Sequence, residues 1–423
     1  MTPASGPSIE ARLASAGLPP LPRLAWLELD IDALIGNLAA LRRLAGGAPV
    51  HPVVKADAYG HGAVPIAHAL AAAGVDGLCV ATMDEALDLR NAGVEVPIRV
   101  LYSIPPALIL DAIRQGITVA AGDRGTLDEI LAAASDGTLM VAGADTGSTA
   151  ARHLRIEIEV ETGLGRGGVG PADVVLMADR IAASEVASLV GIWTHLQASD
   201  DAAITARQLE RFDAASDALS TAGRPVPTLH VAASGGLLTG VAAYGGVRPG
   251  LSTYGIVPDE LEGHALRDPG GDGFRPVMSL LARPVRVADL PAGYGVSYGP
   301  TFTTARPSRI ATLPLGYGDG YARANANRAE ALVRGTRVPL VGSITMDALM
   351  ADVTDVPGPP VGPHDEFVLL GAQGPDRITA EDLARLRTTN TWEVVTAMSG
   401  RLPRVYHAAA EVTGLRTLSG WRR

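Results

Sequence analysis

Eight short apolar runs punctuate the middle of the chain, at 50–54, 77–81, 98–102, 117–121, 154–160, 189–194, 228–232 and 245–247. Between most of them apolar residues recur at helical spacing: Val64 to Ala73 before Gly74, Met83 to Ala92 before Gly93, Ile204 to Ala222 before Gly223. No other feature constrains the fold as strongly. Strand then helix, repeated, makes successive strands run parallel. Eight such units in roughly 230 residues fit a (β/α)8 TIM-type barrel, whose usual size is about 250 residues. A doubly wound open sheet meets the same count and remains the alternative.

Both ends leave this rhythm. Residues 1–20, rich in Ala, Pro, Ser and Gly, read as a flexible tail. AWLELD (25–30) alternates like a strand and is a candidate to pair with a second domain. Leu34, Leu38, Leu41 and Ala45 then follow a helical period that stops at Gly46-Gly47. After about residue 268 the helical patterns thin out, and short β-like runs such as RIATLPLGY, EFVLLG and RVYHAAAEV take over. The expected organisation is an α/β barrel over 21–269 and a mainly β C-terminal domain over 270–423, divided in GGDG (270–273).

A net charge of −10 argues against a nucleic-acid partner, which needs a basic face. No run is long enough to span a bilayer, and the N-terminus lacks the pattern of a signal peptide. The single cysteine, Cys79, lies in the apolar run GLCVA, which excludes a disulfide framework and points to a reducing, cytoplasmic setting. The nine histidines show no paired metal-ligand spacing, so no metal is expected.

In a parallel barrel the chemistry gathers where the strands end. The first run delivers Lys55 and Tyr59, the fifth Glu159, Glu161 and Arg166, and the sixth His195 and Asp200. The seventh delivers Ser234 and Gly235, the eighth Arg248, Gly250 and Tyr254. A lone strand-end lysine is more often a surface residue and a lone histidine more often structural; their convergence on one rim shifts the balance. The Gly/Ser-rich loops after strands seven and eight suit a phosphate, cradled by backbone N–H groups of Ser234, Gly235, Gly250 and Leu251 with the Tyr59 hydroxyl as a further donor. A phosphate site facing a lysine is what pyridoxal phosphate requires.

VVKADAYGHG resembles the cofactor-lysine signature of alanine racemases, a family of fold-type III pyridoxal-phosphate enzymes. ETGLGRGG, GIWTHLQASD, VRPGLSTYG, GYGVSYG, LGYGDGYAR and VGSITMDALMADV resemble family segments in the family's order, from AWLELDIDALIGNL to RLPRVY. The resemblance implies a barrel plus β domain, assembled as a head-to-tail homodimer with shared active sites. It implies an isomerase that interconverts L- and D-alanine with two bases, serving D-alanine and peptidoglycan-precursor synthesis. Lys55 would hold the cofactor and act as one base; Tyr298 would be the other, reaching in from the partner subunit. Arg248 would donate to the pyridine nitrogen, and His195 would pack near the ring and hydrogen-bond toward Arg248. Arg166 would meet the cofactor's phenolic oxygen and the substrate carboxylate. Tyr59, Ser234, Gly250 and Leu251 would hold the phosphate, while Met346, Asp347 and Tyr317 would line the substrate site and its mouth. Lysine and tyrosine side chains ordinarily titrate near 10, so nearby cations must lower them for base catalysis at neutral pH.

The chain departs from the family at several of these places. Glu159 stands where the family commonly has a carbamylated lysine, and is expected to orient Arg166 with its own charge. Ala233 replaces an asparagine, Thr345 a cysteine-like position and Ser343 an arginine of the access passage. Trp392 replaces a tyrosine that closes the pocket and bonds the phosphate. These changes leave serine or a broader range of small amino acids as the alternative to alanine. A non-catalytic pyridoxal-phosphate carrier is opposed by the β domain and Tyr298. A decarboxylase is opposed by Arg248, since such enzymes place a carboxylate at the pyridine nitrogen.

Overall fold

The computed structural model describes residues 7–141, 153–264, 266–267, 270 and 273–423. The expected flexible tail is a correction from residue 8 onward. Ser8 caps a helix, α1 (Ile9–Ser15), through a hydrogen bond that its hydroxyl accepts from the Ala11 N–H. Ile9 and Leu13, one turn apart, pack on Trp26, Val405 and Leu415. Arg12 pairs with Glu28, and Arg283 donates to Glu10 at 2.7 Å. The apolar partners lie far along the chain, so the local composition hid the helix. Residues 1–6 of that tail lie outside the described residues.

The first strand, β1 (Ala25–Asp30), joins the C-terminal domain. It pairs in parallel with the strand Arg404–Ala408 and antiparallel with Met278–Ala282. Its alternation does the sorting: Leu27 and Leu29 enter the main core, while Trp26 faces α1. This sheet continues outward through Phe367–Gln373, Glu330–Val333 and Thr336–Pro339 on one side, and through Glu411–Thr417 and Gly420–Arg422 on the other. A three-stranded sheet, Arg286–Leu290, Ser308–Leu313 and Leu349–Asp352, completes most of the β domain.

Six of the eight expected runs form one parallel sheet in sequence order: β2 (Leu78–Val80), β3 (Ile98–Val100), β4 (Ile117–Ala121), β5 (Leu154–Glu159), β6 (Ala187–Trp193) and β7 (Thr228–His230). The runs at 50–54 and 245–247 do not form strands. They make isolated parallel bridges, Val50 to Val247 and Val53 to Cys79. Pro49, Pro52 and Pro249 remove ladder donors there. The bridges nevertheless close the sheet, because the Gly245 N–H also donates to the Leu229 carbonyl. The fold is therefore a (β/α)8-type barrel, and the open-sheet alternative falls. Of the GGDG boundary, residues 271 and 272 lie outside the described residues.

Candidate active site

Lys55 is the only lysine in the 423 residues, and it follows the first run directly. The next four residues, Ala56, Asp57, Ala58 and Tyr59, have φ of 52°, 55°, 54° and 53°. That is one left-handed turn built without glycine, at a cost of about 1–2 kcal/mol per residue. It places Lys55 and Tyr59 on the wall of one cavity of about 200 Å³ at the barrel rim. Burial, and then Arg166, push the Lys55 amine below its usual value, which favours the free base.

The same cavity is lined by Ser234, Gly235, Gly250 and Leu251. Ser234 opens a short helix (Ser234–Thr239), and Leu251 opens a 3-10 turn. First-turn N–H groups have no partner within their own helix, so those of Ser234, Gly235 and Leu251 suit an anion. Gly250 departs from expectation: its N–H donates to Ser234 Oγ at 3.0 Å, as does that of Ser252 at 3.2 Å. A β-carbon on Gly250 would overlap the Tyr59 hydroxyl, and one on Gly235 the Ser199 hydroxyl. Burial holds the Tyr59 phenol well above its usual range, so it is a neutral donor.

Arg248 lines the cavity and is buried. It donates to the carbonyls of His230 (2.9 Å) and Thr194 (2.7 Å) and to His230 Nδ1, with its guanidinium 5.0 Å from the Trp193 ring centre. An arginine only donates, so Nδ1 accepts and His230 carries its proton on Nε2. That nitrogen lies 3.2 Å from Glu157 Oε2, and Glu157 Oε1 accepts from Arg99 Nε at 2.8 Å. Burial opposes ionisation of Glu157, but His230 and Arg99 hold its carboxyl below the ordinary range. Burial pushes His230 down to about 4 against the pull of Glu157, so the ring is neutral. Gly191 makes room for this chain, since a β-carbon there would lie 2.9 Å from Glu157 Oε1.

The expected hydrogen bond from His195 toward Arg248 is not among those of the described residues; Arg248 uses His230 instead. His195 does line the cavity, and burial, then Arg248, Arg166 and Lys55 push its imidazole down to about 3. Arg166 lines the cavity too, with its guanidinium 5.6 Å from the Tyr102 ring centre. Glu159 sits behind it at 3.6 Å, its carboxyl raised by burial against the pull of Arg166. Trp392 also lines the cavity.

The remaining expected residues lie elsewhere. Tyr298, Tyr317, Met346 and Asp347 are absent from the cavity wall. Tyr298 is 80% exposed and Met346 52%, both on the β domain. Ser343 Oγ donates to the Tyr298 carbonyl at 2.9 Å, and the Tyr317 N–H to the Thr345 carbonyl at 3.0 Å, which ties these segments into one surface. Asp347 accepts from Arg401 at 2.6 Å. Sequence reasoning missed Arg99, Glu157, Trp193 and His230. It also missed a plain signal, that the chain contains no second lysine. Among the described residues no group of three or more His, Cys, Asp or Glu is arranged to hold a metal ion, and no helix is long and apolar enough to cross a membrane.

A sole lysine sharing one cavity at a barrel rim with an anion cradle and a buried arginine defines a pyridoxal-phosphate enzyme of the barrel class. The donor set and the glycines kept clear by Tyr59 and Ser199 fit that cofactor. The family model for the alanine racemase N-terminal domain matches residues 29–258, and that for the C-terminal domain matches 277–406. The chain belongs to the alanine racemase family, isomerases that depend on pyridoxal 5'-phosphate. An alanine racemase of Symbiobacterium thermophilum is 38% identical over 91% of this chain and 97% of its own. The structure of an alanine racemase from Bacillus anthracis with bound L-Ala-P has a TM-score of 0.82 at 28% identity, covering 94% of this chain and 98% of that one. A histidine racemase from Leuconostoc mesenteroides subsp. sake has a TM-score of 0.80 at 26% identity, covering 92% and 99%.

Proposed function

We propose that this chain interconverts L- and D-alanine, with Lys55 as one base and Tyr298 of a second copy as the other. One observation carries this reading: the only lysine lines the cavity, while Tyr298 stands exposed on the β domain outside it. Inverting a carbon needs a proton removed from one face and returned on the other, so a site with one base is incomplete. A homodimer with shared sites supplies the second.

When bound, pyridoxal phosphate supplies the electron sink that acidifies the α-proton of the amino acid. Lys55 takes or gives a proton at Nζ, aided by its lowered pKa. The Tyr298 hydroxyl serves the opposite face. Arg166, backed by Glu159, fixes the substrate carboxylate. Arg248 would donate toward the pyridine nitrogen and, being cationic, would disfavour its protonation. Tyr59, Ser234 and Leu251 would anchor the phosphate, with the Gly250 N–H orienting Ser234 Oγ, and neutral His195 would pack beside the ring. Tyr317, Met346 and Asp347 complete the substrate pocket from the second copy. The buried free Cys79 fits a reducing, cytoplasmic setting, where D-alanine serves peptidoglycan assembly.

A second reading, serine or a wider set of small amino acids, is favoured by Trp392 on the cavity wall. Indole offers one donor and no acceptor, so that wall differs chemically from a tyrosine wall. Subunit mixing tests the shared site. Lys55→Ala and Tyr298→Phe chains are each expected to be inactive, with the tyrosine variant still binding cofactor. Refolded together in equal amounts, they recover about a quarter of parental activity, because half the dimers carry one intact site. No recovery would place both bases in one chain and overturn the reading. A panel of small amino acids followed by α-proton exchange in heavy water then ranks alanine against serine.

A further inference from the structure

The lysine-bearing turn is gripped from below by the last strands of the chain. Consecutive non-glycine residues at positive φ persist only where the surroundings over-determine them. Within the turn, Lys55 and Tyr59 face the cavity and two residues are alanines. Asp57 is therefore the one side chain by which the turn can be held from outside. Its Oδ1 accepts from the Ala63 N–H at 2.8 Å, and Arg416 Nη1 lies 2.6 Å from both its oxygens. Arg404 Nη2 stands 3.8 Å away, but that guanidinium is engaged with the carbonyls of Gly60, Met398, Ser399 and Leu402. The Tyr406 hydroxyl donates to the His61 carbonyl at 2.8 Å. Arg416 belongs to the strand Glu411–Thr417, beyond residue 406 where the family match ends.

We propose that Asp57 and Arg416 form a positioning pair: the ion pair pins the left-handed turn and so sets how firmly the chain retains its cofactor. The proposal rests on the reading of Lys55 as the cofactor lysine. A turn released from Arg416 relaxes toward the right-handed region, and Lys55 and Tyr59 no longer face the same cavity. Neither residue of the pair touches the cavity, so the effect travels through backbone placement.

The test compares the holoenzyme of the parent with Arg416→Ala, Arg416→Lys, Asp57→Asn and the double variant Asp57→Ala/Arg416→Ala. Cofactor release is followed by absorbance. In the cofactor-free proteins, amide exchange is compared at residues 56–63 and in β1. The expected result is release about tenfold faster for Arg416→Ala and Asp57→Asn, the scale of one charged hydrogen bond. Exchange rises at 56–63 and stays unchanged in β1. Arg416→Lys restores most of the retention, and the double variant is no worse than the worse single change. Because Asp57→Asn keeps an acceptor for Ala63, it reads the pair even where Arg416→Ala fails to fold. Release unchanged in both single variants overturns the proposal, as does faster exchange spread equally over β1. Borohydride reduction of the parent separates the two readings. A cofactor tag on Lys55 with unchanged release in the variants overturns the pair alone; no tag on Lys55 overturns the Lys55 reading and the proposal with it.

Discussion

Lys55 has no second lysine to share its chemistry, and that makes its state directly readable. An amine-acylating reagent is expected to modify only the N-terminus of the holoenzyme. The cofactor-free protein gains one further adduct, at Lys55, and intact-mass spectrometry counts the two cases apart. A second adduct on the holoenzyme would mean that the lysine is free when cofactor is bound. Behind Arg248, the Arg99–Glu157–His230 chain invites a sharper test. Glu157→Ala removes the buried partner of the partly buried Arg99 and is expected to cost about 3–5 kcal/mol in urea unfolding. Gly191→Ala, crowding the same carboxylate, should cost about 1–3 kcal/mol. Lys55, Tyr59, His195, Ser234, Arg248 and Gly250 were legible because each follows an apolar run at a strand end. Glu157 and His230 were not, since each sits within such a run, where a polar residue reads as an outward position. Only the closed barrel shows that they point inward and meet.

At the scale of elements, six parallel strands and their helices could be read from period alone, because a buried parallel strand is a short unbroken apolar run. The first and eighth runs looked the same but, with prolines within or beside them, make only isolated bridges. The left-handed turn gave no signal: Ala-Asp-Ala-Tyr contains no glycine, and the sign of φ there is imposed by tertiary contacts. The helix α1 was missed for the same kind of reason. Its apolar face is only Ile9 and Leu13, too few to stand out until Trp26 and Val405 are placed against them. Leu13→Ala is accordingly expected to cost about 2–5 kcal/mol, seen as a lowered thermal midpoint. An unchanged midpoint would mean that α1 contributes nothing to the fold.

Across the whole molecule, four histidines share one property. Burial is the largest cause in each: it drives His51 and His195 to about 3, and His61 and His230 to about 4. An unfolded chain protonates them near 6.5. Between about pH 6.5 and pH 4 the unfolded state therefore binds more protons than the folded one. The stability they contribute is fully present above that window and is lost as the pH falls through it, at up to about 1.4 kcal/mol per pH unit for each. Urea midpoints of the cofactor-free protein should drop steadily on acidification; a flat profile would show that the rings titrate normally.

β1 lies between two strands of the other domain, one of them Arg404–Ala408 near the chain's end. On a ribosome, then, the first strand made waits for almost the last. A nascent chain can fold its barrel early, yet β1 keeps an open edge until residues 404–408 emerge. The same final stretch brings Arg404 to the Gly60 carbonyl and Arg416 to Asp57. A truncated product, however complete its barrel, thus carries the lysine on an unsecured turn. If the proposed pair holds, competence to keep a reactive aldehyde cofactor is expected to arrive only once residues 404–416 are made.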